Sequence, residues 1–194
     1  FRRYRIKTLK SKHTFLLPDE LEKLESLELT GKSVTYRHSL EAFLFCCYTG
    51  LRYSDFTQLS EKNIIFIENR PWIIFTTIKT GAEVRLPLAL LFGGKGWKLL
   101  RKHQKHLNEF FNLKANSTVN KDLIRIGKLA GIQKHFSFHS ARHTNATLLI
   151  YKGVNITTVQ KLLGHRNIST TQIYSEVMAT TIVNDLKKCS KGNR

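Results

Sequence analysis

Hydrophobic residues recur every three or four positions in much of this chain, which is the spacing of amphipathic helices. Leucines at this spacing follow a proline and two acidic residues and predict a helix over 18–29. An apolar stripe over 37–49 predicts a second helix, and Gly50 is placed to end it. Ser54 is then expected to cap a short helix that reaches Leu59.

The pattern changes between residues 63 and 88, where β-branched and aromatic residues dominate. Three segments, 63–67, 72–79 and 83–88, are separated by Asn69-Arg70-Pro71 and by Thr80-Gly81, which are turn-forming sequences. We therefore expect a three-stranded antiparallel meander with Lys79 at the tip of its second hairpin.

Helical spacing resumes after this region and continues almost to the end of the chain. Asn155 is a suitable N-cap, and Ser169 with Gln172 fits a capping box for the helix that carries Tyr174. The predicted fold is mainly α with one small three-stranded antiparallel sheet (α+β), in one substantial domain. The expected helices of this part are 97–111, 117–130, 138–151, 156–163, 170–174 and 176–188.

Charge narrows the choice of partner. The chain has 194 residues with 32 Lys and Arg against 14 Asp and Glu, a net charge of +18, which favours a polyanion. Double-stranded DNA is preferred over a membrane surface, because no stretch is long and apolar enough to span a bilayer. Three cysteines without framework spacing indicate reduced thiols and a cytoplasmic location. Residues 1–14 form either a basic interdomain linker or a solvated tail.

The candidate catalytic residues lie mostly in the last third of the chain. The runs SFHSARHT at 137–144 and LLGHRNISTTQIY at 162–174 contain His139, Arg142, His165 and Tyr174, an order suited to attack of a tyrosine on a phosphodiester. His139 and Arg142 are three positions apart and so share a helix face. With Arg52 in TGLRYSD, two arginines can bind the nonbridging oxygens while negative charge develops there. DNA strand transfer is therefore the leading hypothesis.

A tyrosine nucleophile needs help with its proton. Its pKa is near 10, so about one phenol in a thousand is ionised at pH 7, a deficit of roughly 4 kcal/mol. We expect His139 to accept or relay the proton of Tyr174, and His165 to donate a further hydrogen bond to the phosphate. Lys79 is the candidate general acid for the leaving 5′ oxygen.

Other motifs favour simpler explanations. His135, His139 and His143 recur every four residues, but no carboxylate adjoins them and Ser137 is expected to begin the helix after His135, so no metal site is predicted. The run GGKGWK at 93–98 lacks the Gly-Lys-Ser/Thr ending of a phosphate loop. The basic helix that follows it either contacts the DNA backbone or is a solvated face.

Taken together, these motifs resemble the catalytic domain of the tyrosine recombinase (lambda integrase) family, and integrases of conjugative transposons in particular. The likeness runs from about residue 16 to 177. TGLRYSD resembles the first arginine box, which implies that Arg52 binds phosphate and that Asp55 supports it. TIKTGAEVRLPL resembles the hairpin that carries the catalytic lysine, here Lys79. HSARHT and LLGHRNISTTQIY match the remaining boxes and imply Tyr174 as the nucleophile.

The resemblance also implies properties of the whole protein. A 3′-phosphotyrosine forms without cofactor or metal, and a tetramer acts on two paired DNA sites, with accessory directionality proteins possible. The expected division is a linker (1–14), a catalytic domain (15–177) and a C-terminal helix and tail (178–194). That last segment docks on a neighbouring protomer or packs within its own chain. The family's N-terminal core-binding domain is expected to be missing here. A noncatalytic DNA-binding module and a type IB topoisomerase remain the alternative functions.

Overall fold

The computed structural model describes residues 13–174, so the basic segment up to residue 12 and the predicted helix 176–188 lie outside the described residues. Within that range the chain is mainly helical with one three-stranded sheet, which confirms the predicted fold class. No helix in this part of the chain has the length and apolar character needed to cross a membrane.

The α-helices are α1 (Pro18–Glu25), α2 (Arg37–Thr49), α3 (Tyr53–Phe56), α4 (Lys95–Lys102), α5 (Leu107–Phe111), α6 (Asn116–Leu129), α7 (Phe138–Tyr151), α8 (Ile156–Leu163) and α9 (Ser169–Gln172). The strands are β1 (Ile64–Ile67), β2 (Arg70–Thr76) and β3 (Glu83–Pro87).

Helices α2 and α7 form the centre of the molecule. Both are buried on nearly every face, as expected for helices with neighbours on all sides. Helices α1, α4, α5 and α6 pack on α2, while α6 and α8 pack on α7. Large aromatic side chains fill the space between these helices, mostly with their rings edge to face. The fully buried ones are Phe43, Phe45, Phe56, Phe110, Phe111 and Phe138.

The sheet has the predicted meander order, β1-β2-β3, with both pairs antiparallel. Its first turn is formed by Glu68 and Asn69, which both have positive φ (50° and 59°), as in the tight turns that match the twist of a hairpin. Strand β2 starts at Arg70 and ends at Thr76, so the expected turn residues Arg70 and Pro71 belong to the strand. Lys79 lies in the loop between β2 and β3, as predicted for the second hairpin, although the strand ends before it.

Several predicted boundaries are wrong for reasons of tertiary packing. Helix α1 ends at Glu25 instead of residue 29, and the hydroxyl of its C-cap residue Ser26 donates to the carbonyl of Glu22 at 2.9 Å. The chain beyond it still buries Leu29 in the core, and a 3-10 helix follows at Gly31–Tyr36. The apolar spacing that suggested a longer helix therefore reflects burial of a non-helical segment.

The predicted helix 97–111 is in fact two helices, α4 and α5. The break falls at His103, whose ring Nε2 donates a hydrogen bond to a carboxylate oxygen of Glu41 (2.8 Å) and whose ring stacks on that of Phe110 at 4.3 Å. These contacts hold His103 outside helical geometry, with φ −103° and ψ 12°. Glu41 lies on α2, 62 positions away, so this contact could not be seen in the local sequence.

Two predicted caps are also wrong. Ser54 lies inside α3, whose N-cap is Arg52, and α3 ends at Phe56 instead of Leu59. Ser169 lies inside α9, whose N-cap is Ile168 and has no side-chain hydrogen bond. Helix α9 ends at Gln172, so Tyr174 lies in the turn after it and not within the helix. By contrast, Asn155 caps α8 as predicted, accepting a hydrogen bond from the N–H of Thr157 at 2.9 Å.

Candidate active site

Arg142 is at the centre of the candidate site. It lies on α7, is 3% exposed, and donates to the carbonyls of Gly50 at 2.8 Å and Leu163 at 2.6 Å. Burial, together with the charge of Arg52, lowers its pKa to about 10. At pH 7 the guanidinium therefore remains almost fully ionised. It has five N–H donors, so the two carbonyls fix its position and leave others for an anion.

Two glycines allow the chain to come close enough to hold Arg142. Gly50 ends α2 with φ 75°, and a Cβ there would lie 2.7 Å from Leu163 and 2.8 Å from Asn145. Gly164 ends α8 with φ 62°, and a Cβ there would lie 2.7 Å from Val84 of β3. Both positions need the left-handed conformation and the absence of a side chain. Gly50 of TGLR and Gly164 of LLGH therefore allow α2, α7, α8 and the sheet to pack closely around Arg142.

Arg52 and Asp55 connect the start of α3 to the loop after β2. Arg52 donates to Oδ2 of Asp55 at 3.3 Å, and Oδ1 of the same carboxylate accepts the N–H of Ile78 at 3.1 Å. Asp55 is 2% exposed. The positive charge of Arg52 and the backbone N–H of Ile78 offset the cost of burying its carboxylate. The side chain of Asp55 therefore contacts both Arg52 and Ile78, the residue next to Lys79.

The loop that carries Lys79 is held against the end of α8. The hydroxyls of Thr77 and Thr80 are 2.5 Å apart, and that of Thr80 donates to the carbonyl of Gly164 at 3.0 Å. Lys79 itself is exposed. Its charge lowers the pKa of both His139 and His165, after larger contributions from burial and from Arg142 and Arg52. The contacts of Thr77 and Thr80 therefore fix the loop that carries Lys79 next to Gly164.

His165 follows Gly164 directly and is partly buried. Its Nδ1 is 2.9 Å from the hydroxyl of Thr171, which is itself fully buried on α9. Burial, then the charges of Arg142, Arg52 and Lys79, lower the pKa of His165 to about 3, so the ring is neutral at pH 7. When Thr171 donates its proton to Nδ1, the ring proton resides on Nε2, which is the tautomer needed to donate to a phosphate.

The hydroxyl of Tyr174 has a different partner from the one expected. It lies 3.1 Å from Nδ1 of His143, the residue after Arg142, and Tyr174 is 5% exposed. Burial raises the pKa of Tyr174, while the charges of Arg142 and Arg52 oppose that change. His139 keeps solvent access, and its ring meets that of His143 edge to face at 4.5 Å. Partial desolvation, then the charge of Arg142, lower the pKa of His139.

The structure thus gathers the predicted residues from five separate segments of chain. The charges of Arg52 and Arg142 act on His139, His165 and Tyr174, and that of Lys79 acts on both of these histidines. Sequence reasoning missed the roles of His143 and Thr171 as partners of Tyr174 and His165. Within residues 13–174, no three His, Cys, Asp or Glu side chains come together as a metal site would require. The two buried cysteines described, Cys46 and Cys47, are both free thiols.

Comparisons with known proteins identify the family of this chain. The model of the phage integrase family matches residues 14–180. A tyrosine recombinase of Pseudothermotoga lettingae is 34% identical over 169 residues, which cover 84% of this chain and 56% of that protein. The chain thus spans about half the length of the curated relatives it matches.

Solved structures share the fold at low sequence identity. The integrase of transposon Tn1549 in complex with circular intermediate DNA has a TM-score of 0.65 and 19% identity, covering 91% of this chain and 65% of its own. A lambda integrase tetramer bound to a Holliday junction has a TM-score of 0.66 and 20% identity, covering 88% of this chain and 50% of its own. The family model matches most of the chain, and the chain belongs to the phage integrase family of tyrosine recombinases.

Proposed function

We propose that this chain is the catalytic part of a site-specific DNA recombinase that cuts and rejoins DNA through a 3′-phosphotyrosine. The observation that carries the proposal concerns Tyr174, a buried tyrosine whose hydroxyl faces an imidazole. The charges of Arg52 and Arg142 act on this tyrosine, and the same two charges act with that of Lys79 on His165. Arg52, Arg142 and Lys79 are cationic, and Asp55 is a buried carboxylate among them. This excess of positive charge favours a phosphodiester as the bound group.

The chemistry follows from the positions of these groups. Arg52, Arg142 and the Nε2–H of His165 donate to the nonbridging oxygens, where charge builds up in the transition state. The oxygen of Tyr174 passes its proton to a neighbouring imidazole and attacks phosphorus, the bond to the 5′ oxygen breaks, and Lys79 gives that oxygen a proton. The product is a 3′-phosphotyrosine with a free 5′-hydroxyl. A 5′-hydroxyl of a partner strand then reverses these steps, so the phosphate bond energy is conserved.

We propose a substrate, an active assembly and a biological role on the same basis. The substrate is double-stranded DNA, the active form is a tetramer on two paired sites, and the reaction integrates and excises a mobile element in the bacterial cytoplasm. The similar transposon integrase was solved with circular intermediate DNA, and the similar lambda integrase as a tetramer on a Holliday junction, which supports these choices. The basic segment 1–14 would be an interdomain linker, and residues 178–194 would dock on a neighbouring protomer, with accessory proteins setting the direction.

Covalent trapping tests the proposal. The protein is incubated with nicked suicide DNAs from candidate attachment sites, without added metal, and run on a denaturing gel. We expect an adduct at the DNA 3′ end, absent in Tyr174→Phe and retained in Tyr151→Phe, a matched change at an exposed tyrosine of α7. Arg52→Ala should slow the adduct by roughly 10²–10³-fold, the loss typical of one such donor. Tight DNA binding without any adduct would favour a noncatalytic DNA-binding module. Relaxation of supercoils without joining of two sites would favour a topoisomerase.

A further inference from the structure

The residue that touches the reacting atom of Tyr174 is His143, which lies within the HSARHT motif but is not among the catalytic residues predicted from it. Its Nδ1 lies 3.1 Å from the tyrosine oxygen, and the two residues are 31 positions apart in the chain. Neighbouring residues on a helix point about 100° apart. Arg142 therefore faces the carbonyls of Gly50 and Leu163 while His143 faces the tyrosine.

His143 is surrounded by groups that keep it neutral. Its ring is 6% exposed and lies 4.5 Å, centroid to centroid, from the rings of both His13 and His139. Burial first, then the charges of His139, His13, Arg142 and His165, lower its pKa to about 3. Within the described residues, no carboxylate contributes to that shift. At pH 7 the ring thus has a free lone pair on one nitrogen.

We propose that His143 orients the hydroxyl of Tyr174 and accepts its proton while the bond to phosphorus forms. This inference rests on the proposed strand-transfer function and identifies the proton acceptor within it. The tyrosine O–H donates to Nδ1 of His143, which leaves the oxygen lone pairs free for the phosphate held by Arg52 and Arg142. His139, which was expected to take this proton, keeps solvent access and lies against the outer side of the same ring.

The proton moves in step with the attack. The phenol is a far weaker acid than protonated His143, so full transfer in the resting site is unfavourable. As the oxygen bonds to phosphorus it becomes strongly acidic, and the proton passes to Nδ1. Meanwhile the bond to the 5′ oxygen breaks and that oxygen takes a proton from Lys79. In the return step, protonated His143 gives its proton back to the leaving tyrosine oxygen.

The test compares two substitutions with different chemistry. His143→Asn keeps a hydrogen-bond acceptor near the position of Nδ1 but cannot take a proton, and His143→Ala removes both functions. His135→Asn, at an exposed histidine before α7, is the matched control. The measurement is the rate of adduct formation on a suicide DNA under single-turnover conditions, with DNA binding measured in parallel. We expect His143→Asn to be slower than the wild type by about 10²–10⁴-fold, the usual effect of a general base. His135→Asn should react like the wild type.

A rescue experiment separates proton transfer from packing. Without an acceptor, the reaction depends on phenolate, so the His143→Asn rate should rise about tenfold per pH unit, as the ionised fraction does. The wild-type rate should change little over the same range. Replacing Tyr174 with 3,5-difluorotyrosine, a more acidic phenol, should restore much of the rate of His143→Asn and affect the wild type far less. The wild-type pH profile tests the idea even if a variant fails to fold.

The outcomes distinguish this inference from the function on which it rests. If the wild type forms no adduct, the strand-transfer function fails. If the wild type reacts and His143→Asn matches it, His143 is not the proton acceptor. If His143→Asn is slow but neither high pH nor the acidic phenol restores its rate, the residue acts only through packing, and proton acceptance is refuted.

Discussion

Gly50→Ala tests whether the close approach of α2, α7 and α8 determines both stability and the geometry of the site. Gly50 has φ 75°, and a Cβ there would lie 2.7 Å from Cδ2 of Leu163 and 2.8 Å from Oδ1 of Asn145. Left-handed geometry costs an alanine about 1–2 kcal/mol. Crowding of a packed core typically adds about 1–3 kcal/mol. We therefore expect Gly50→Ala to lower the free energy of unfolding by about 2–5 kcal/mol.

Gly131→Ala is the matched control. Gly131 has φ 67°, but no atom lies within 4 Å of the Cβ it would gain, so only the backbone term applies. We expect a loss of about 1–2 kcal/mol for this variant. The difference between the two variants measures the packing term alone. The assay is urea unfolding followed by circular dichroism, with both variants and the wild type at one pH.

The same substitution has a consequence for the site. The carbonyl of Gly50 accepts a hydrogen bond from Arg142 at 2.8 Å, so moving the backbone to relieve the clash also moves an anchor of the guanidinium. Gly50→Ala should slow adduct formation under conditions where it is fully folded, and Gly131→Ala should not. Equal losses of stability and equal adduct rates for the two variants would refute the reasoning.

The remaining predictions concern charges at the site. Lys79→Ala should slow cleavage of ordinary DNA, and a bridging 5′ phosphorothiolate should restore the rate because its leaving group needs no proton; no recovery would contradict the role of Lys79 as the acid. Asp55→Asn removes the charge that holds Arg52, a contribution of about 1.5–3 kcal/mol. The adduct rate should then fall by roughly ten- to 150-fold at unchanged DNA affinity, and a wild-type rate would contradict this. His143 and His165 have pKa values of about 3 in the folded protein, below the ordinary value of 6.5. The unfolded chain therefore binds more protons below pH 6.5, and urea unfolding should show stability falling from pH 6.5 towards 3. A double variant, His143→Gln with His165→Gln, should show a weaker fall, and an unchanged slope would disprove the assignment.

Local features of the chain were predictable because their causes are local. Helix α2 and its glycine end, helices α7 and α8, the cap at Asn155 and the order of the three strands all follow from periodicity, turn residues and capping chemistry within a few positions. The residue types expected for phosphodiester chemistry were also evident, since arginine, histidine, lysine and tyrosine occur in short motifs.

Contacts between distant segments could not be predicted in this way. His103 breaks the expected helix 97–111 because it pairs with Glu41, 62 positions away, and Thr80 joins the lysine loop to Gly164, 84 positions away. Such partners depend on how whole helices pack, which no local pattern specifies.

The proton partner of Tyr174 illustrates this difference. The sequence by itself determined that three histidines spaced by four residues precede the tyrosine, and that Arg142 shares a helix with two of them. Only the tertiary structure decided that His143, and not His139, meets the tyrosine hydroxyl. The physical reason is that a helix sets the angle between its own side chains, whereas the packing of α7 against α8, and of α8 against α9, decides which side chain of α7 faces Tyr174.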